Sequence, residues 1–112
     1  MDTRESYFRK TIKSAATFFS RWVGANAEMW ELTAHHKSLR LLVQSTDRSG
    51  NLLVCCIDPI SVRGPVRWPG CQLTAATARL PGSEEIGFCV RDQAAGMEIY
   101  CGGLEIKENV KL

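Results

Sequence analysis

The segment from Phe8 to Leu32, FRKTIKSAATFFSRWVGANAEMWEL, contains the change of pattern that decides the fold. Its first part carries an apolar stripe with the three- and four-residue spacing of an α-helix, formed by Phe8, Ile12, Ala15, Phe19 and Trp22. After Gly24 the spacing becomes two, because apolar Trp30 and Leu32 are separated by one polar residue. The sequence therefore predicts one amphipathic helix over residues 3–23, followed by strands.

The ends and faces of this helix can also be predicted. Asp2 with Glu5 resembles a capping box, and Gly24 is a residue type that commonly follows a helix. Ala16 and Val23 are expected to widen the apolar stripe. The basic side chains fall mainly on other faces of the helix, at Arg9, Lys10, Lys13 and Arg21.

Alternating apolar residues predict two hairpins. The first joins residues 38–46 to residues 51–57 through a turn that contains Asp, Ser and Gly. In the second, apolar residues that share a face flank the turn DQAAG, at Ile86, Phe88, Val90, Met97, Ile99 and Cys101. Gly102-Gly103 indicates a bulge or bend before a last strand, whose Glu105, Lys107 and Glu108 are expected to point outward.

Two stretches are harder to assign. Residues 72–80 are compatible with a helix or a strand, and their threonines favour a strand. In DPISVRGPVRWPGC, residues 58–71, the prolines lack ladder donors, so the segment is predicted not to be a central strand. We expect the strand to end at Asp58-Pro59, followed by an irregular loop or by short edge strands around 60–62 and 66–68.

These elements predict a single α+β domain spanning residues 1–112. The long N-terminal amphipathic helix is expected to pack on one face of a curved, mostly antiparallel sheet of about five to seven strands. The strands are expected to follow one another as in a meander, because short connections favour antiparallel neighbours.

Composition narrows the class of protein. Hydrophobic residues make up 45% of the chain, which argues against disorder, and the net charge of +2 gives no strong preference for polyanions. No apolar run approaches the roughly 20 residues that span a bilayer. The N-terminal segment lacks a secretory pattern, so the sequence predicts a cytoplasmic protein with reduced thiols and no membrane span.

The five cysteines and the two histidines do not form a recognised motif. Cys55 and Cys56 are expected to point to opposite faces of a strand, where they fill space and do not bind one ion together. The same alternation separates His35 from His36. We therefore predict no metal, no cofactor and no catalytic residues.

The best candidate binding segment is VRGPVRWPGC, residues 62–71. Arg63 and Arg67 can bind carboxylate or phosphate, and Trp68 offers a flat apolar surface. His35 and Asp92 are further candidate polar anchors. The structural alternative is that Trp68 plugs the open end of the sheet and that the arginines pair with Glu84, Glu85 or Asp92.

Three functional hypotheses follow. The favoured one is a non-enzymatic binding or assembly module that forms a homodimer through a sheet edge or face. The alternative is a small-molecule-binding domain, enzymatic or not, with a pocket between helix and sheet lined by Trp22, Trp30, Trp68 and Phe88. The weakest is nucleic-acid or anionic-surface binding through the basic helix face, because a nucleic-acid domain usually has a larger basic excess.

Overall fold

A computed structural model describes residues 3–33 and 37–111, and over them one helix packs against a curled antiparallel sheet that forms a half-barrel. The elements are α1 Thr3–Arg21, β1 Asn26–Thr33, β2 Ser38–Gln44, β3 Asn51–Arg63, β4 Arg67–Trp68, β5 Thr74–Arg79, β6 Ile86–Asp92 and β7 Met97–Val110. This confirms the predicted α+β class, with the helix at the N-terminus and seven strands within the described residues.

The apolar stripe of α1 faces the sheet as its spacing predicts. Ala15 and Phe19 are buried, while Phe8 and Ile12 are partly buried against the same core. The helix ends at Arg21, two residues earlier than predicted, and Gly24 follows with a φ of 89°. Glycine adopts this left-handed conformation without a steric cost, which lets the chain turn directly into β1.

Two residues expected to widen the stripe do not do so. Ala16 is exposed, and Val23 is 57% exposed. Val23 lies beyond the last helical residue, so the helical period no longer fixes its direction. Phe18 is instead the residue that packs partly against the core beside Phe19.

The sheet has the strand order β4-β1-β2-β3-β7-β6-β5. Both predicted hairpins are present, as β2–β3 and β6–β7. The expected meander holds within β1–β2–β3 and within β5–β6–β7, but it is wrong for the whole sheet, because β7 lies beside β3 and because β4 lies outside β1. The core lies between the sheet and α1, and its fully buried members on the central strands include Leu41, Val43, Leu52 and Val54.

The predicted end of β3 at Asp58-Pro59 is also wrong, because the strand continues to Arg63. β2 begins at Ser38, opposite Ile57, so within the described residues the later part of β3 pairs with β7 alone. The register shifts between Pro59 and Ser61, and prolines occur in sheets at such bulges and at unpaired edges. A proline is therefore tolerated in this half of a long strand.

The structure also confirms the strand favoured for residues 72–80 and the short edge strand expected around residues 66–68. Residues 74–79 form a strand, β5, at one edge of the sheet. β4 is a two-residue edge strand that pairs with Ala27 and Glu28 of β1. On β7 the buried positions change from Cys101 to Leu104, so the side that faces the core switches at the predicted Gly102-Gly103 bend.

Candidate functional site

Trp68 and Asp92 are the two predicted site residues that the structure brings together. The Trp68 side chain is 7% exposed, and its Nε1 donates to Asp92 Oδ2 at 2.7 Å. Asp92 is 1% exposed and also accepts from the backbone N–H groups of Gln72, at 2.9 Å, and Ala95, at 3.3 Å. These three donors satisfy the buried carboxylate. The pair therefore joins β4 and the segment that follows it to the β6–β7 turn, while Trp68 also lines an open depression next to Arg67.

Arg63 lies in a different cluster. Its Nη2 is 2.9 Å from Glu98 Oε1, and Arg91 Nη2 is 2.7 Å from the other oxygen of the same carboxylate. The three residues line an open depression of about 350 Å³ beside the β6–β7 turn. The predicted partner of Arg63 was Glu84, Glu85 or Asp92, and the observed partner is Glu98 because Arg63 and Glu98 oppose each other on β3 and β7.

Arg67 projects from β4 into a second open depression, of about 420 Å³. Glu28, Asn26 and Gln44 also line it, and Arg67 lies opposite Glu28 in the β1–β4 register. Arg63 and Arg67 therefore do not act on one ligand at one place. The fifth candidate, His35, lies outside the described residues.

The aromatic residues expected to line a pocket between helix and sheet are dispersed. Trp22, Trp68 and Phe88 belong to the packed core, whereas Trp30 is 41% exposed on β1. Phe88 is fully buried and packs edge-to-face on Phe8 of the helix, with 5.1 Å between ring centroids. These four side chains therefore do not line one common pocket between helix and sheet.

The thiols of β3 point to opposite faces, as predicted. Cys56 is buried in the core, and Cys55 lies half-buried on the other face near Arg40 and Glu105. Burial raises the pKa of the Cys55 thiol, and the pKa of Cys71 rises to about 11, mainly through burial and then through nearby Asp92. These thiols stay protonated at neutral pH and are poor nucleophiles. The described residues contain no group of three or more metal-type ligands.

The sequence did not predict the cluster of polar contacts around Glu108 at the end of α1, because Glu108 was expected to point outward. Its Oε2 accepts from Trp22 Nε1 at 2.8 Å, and its Oε1 is 3.0 Å from Arg21 Nη2. These hydrogen bonds lower the pKa of Glu108. The change of side at Gly102-Gly103 turns Glu108 toward the helix, where it pairs with Arg21, one of the five basic residues of α1.

Exposed apolar side chains concentrate at one end of the sheet, in residues 30–33 and 59–66, which we call the apolar sheet end. Its exposed members are Trp30 at 41%, Leu32 at 68%, Ile60 at 48%, Val62 at 43% and Val66 at 62%. Val66 adjoins β1 directly, since its carbonyl accepts from the Met29 N–H at 2.7 Å.

The strand edges at this end are incompletely paired. β4 pairs with β1 at Ala27 and Glu28, so in the described part of the chain no strand covers the outer side of β1 beyond Met29. Among residues 3–33 and 37–111, β3 beyond Ile57 has a strand neighbour only in β7. The alternation around Trp30 and Leu32 is the signal for this surface in the sequence, but the exposure of these residues depends on how far β4 extends.

Comparison of the chain with protein-family models, with curated proteins and with solved structures found no match. Among the described residues, no helix is both long enough and apolar enough to cross a membrane.

Proposed function

We propose that this protein is a non-enzymatic assembly module that forms a homodimer through the apolar sheet end. The observation that carries the proposal is the concentration of exposed apolar surface there. Of the nine large hydrophobic side chains exposed among the described residues, five lie in residues 30–33 and 59–66. Exposed apolar surface of this kind is common at protein–protein contacts.

A second copy of the chain is the partner that best fits this surface. Unpaired strand edges offer free N–H and C=O groups to another strand, and two-fold dimers are the commonest oligomers. Trp30 supplies the large aromatic side chain that often anchors an interface. Glu31 lies 3.5 Å from Arg40 of the same chain, so its charge is compensated where two identical edges would meet.

The engagement of Asp92, Glu98 and Glu108 within the fold supports a non-enzymatic role. Asp92 is held by three N–H donors, Glu98 by two arginines and Glu108 by Trp22 and Arg21. These carboxylates serve the fold. General acid–base catalysis instead requires a group that can reach a substrate with a pKa near the working pH.

Sedimentation equilibrium with a matched pair of substitutions tests the proposal. Val66→Lys places a charge in the apolar sheet end, whereas Val23→Lys makes the same change at a valine of similar exposure at the end of α1. We expect the wild type and Val23→Lys to dimerise alike. Val66→Lys should raise the dimer dissociation constant about tenfold or more, because it buries an unpaired ammonium in the interface.

Two results would contradict the proposal. The first is a wild-type protein that sediments as a monomer at about 100 μM, well above the dissociation constant expected of a functional dimer. The second is a dimer that Val66→Lys and Val23→Lys weaken equally, which would place the interface elsewhere.

A further inference from the structure

An open groove of about 450 Å³ lies where the first turns of α1 meet the bend of β3, the start of β6 and the middle of β7. Three exposed apolar side chains line it, namely Tyr7 at 45%, Ile57 at 41% and Ile86 at 42%. The volume falls within the range of roughly 300–1,000 Å³ typical of small-molecule sites. The groove shares no lining residue with the apolar sheet end.

The backbone of β7 keeps part of this groove open. Gly102 and Gly103 line it without side chains. A Cβ on Gly103 would lie 3.2 Å from Ile57 Cβ, and a Cβ on Gly102 would lie 3.5 Å from Asp58 Cβ. Side chains at these two positions would therefore occupy space at the groove floor next to Ile57 and Asp58.

The aromatic wall is fixed by packing. The Phe8 ring meets core Phe88 at a centroid distance of 5.1 Å, and the Tyr7 ring meets Phe88 at 5.9 Å with nearly perpendicular planes. Because Phe88 is fully buried, these contacts hold one side of the groove in place. A preformed wall reduces the ordering cost of binding.

The charged residues at the groove are two carboxylates and one guanidinium. Asp58 and Glu85 line it, and neither has a cationic side chain within 4 Å among residues 3–33 and 37–111. Arg4 is engaged, since its Nη2 donates to the Ile86 carbonyl at 3.4 Å and its guanidinium carbon lies 5.6 Å from the Phe8 ring centre. The groove is therefore apolar with an excess of one negative charge.

The geometry points to a binding site for a small amphiphilic cation, that is, an aromatic or branched aliphatic body carrying one ammonium group. The apolar body covers Tyr7, Ile57 and Ile86 and removes their exposed surface from water. The ammonium lies toward Asp58 and Glu85, which accept its hydrogen bonds and compensate its charge. Asp58 is held in place, because its N–H donates to the Lys37 carbonyl at 2.6 Å.

Amide chemical-shift titrations with two matched probes test this site. The probes are 2-phenylethylammonium and 3-phenylpropionate, which share the phenyl body and differ in the sign of the charge. We expect the ammonium to shift the amides of Ile86, Gly102 and Gly103 with a dissociation constant of about 1 mM, in line with its few heavy atoms. The carboxylate should bind at least about tenfold more weakly.

Substitutions separate the charge from the apolar surface. The double variant Asp58→Asn/Glu85→Gln should weaken ammonium binding about fivefold or more and abolish the preference over the carboxylate. Asparagine suits position 58, where φ is 55°, because it tolerates the left-handed region. Glu84→Gln is the control, since Glu84 pairs with Arg79 and does not line the groove.

Glu85→Gln alone is a second variant, at an exposed surface position where folding is not at stake. It should weaken ammonium binding by a smaller factor in the same direction. The site is refuted if the ammonium shifts no groove amides, if the carboxylate binds equally well, or if neither variant differs from Glu84→Gln. Dimerisation by the wild type is a separate observable that none of these outcomes changes.

Discussion

At the scale of single residues, two of the predicted ligand contacts turn out to hold the fold together. Trp68 and Asp92 have the residue types of a binding site, yet the indole N–H and two backbone N–H groups occupy the carboxylate. The sequence could show that both residues have side chains able to contact a ligand. It could not show that a separation of 24 residues closes to a contact of 2.7 Å, because that depends on where the β6–β7 turn meets β4.

Asp92→Asn is expected to lower the free energy of unfolding by about 2–3 kcal/mol, since it weakens charged hydrogen bonds in a buried position. Trp68→Phe keeps most of the ring and removes one donor, so it should cost about 1–2 kcal/mol. Urea unfolding measures both. The interpretation of this pair as a structural lock fails if both variants unfold within about 0.5 kcal/mol of the wild type.

The lowered pKa of Glu108 gives a pH dependence of defined sign. A carboxylate with a depressed pKa in the folded state contributes stability above its unfolded value of about 4.3, and this is lost as pH falls through the folded value. Glu108→Gln should therefore flatten the loss of stability between about pH 5 and pH 3. Glu105→Gln, on the outward face of β7, is the control and should keep the wild-type slope. Equal slopes in all three proteins would contradict this account.

At the scale of elements, the helix and the hairpins could be predicted because their signals are local. Apolar residues three and four positions apart predicted α1, and apolar residues two positions apart predicted β2, β3, β6 and β7. The continuation of β3 through Pro59 could not be predicted in this way. A proline is excluded from a strand paired on both sides, and whether β2 reaches beyond Ile57 is a property of the assembled sheet.

The helix offers a sharp test of its packing through two neighbouring residues. Phe19 is 3% exposed in the core, whereas adjacent Phe18 is only partly buried. Phe19→Ala should cost about 3–5 kcal/mol of unfolding free energy, and Phe18→Ala about half as much. Chemical denaturation measures both, and a larger loss for Phe18→Ala would mean that the other face of the helix meets the sheet.

At the scale of the whole molecule, the sheet curls around a core that α1 covers, and its far end remains apolar and incompletely paired. The class of fold followed from the sequence, but the strand order did not, because the β3–β7 ladder joins residues that are about a third to a half of the chain apart. For the same reason, the predicted binding segment, residues 62–71, does not form one site. Arg63 and Arg67 are neighbours in sequence, and the turn between β3 and β4 places them in separate depressions.

Hydrogen–deuterium exchange at two protein concentrations, above and below the dimer dissociation constant, tests the proposed assembly most directly. We predict that amides within residues 30–33 and 59–66 exchange about tenfold or more slowly at the higher concentration, because strand pairing and burial protect them. Amides of α1 and β5 should exchange at the same rate in both samples. Protection that is independent of concentration, or that appears on α1 or β5 instead, would contradict assembly through the apolar sheet end.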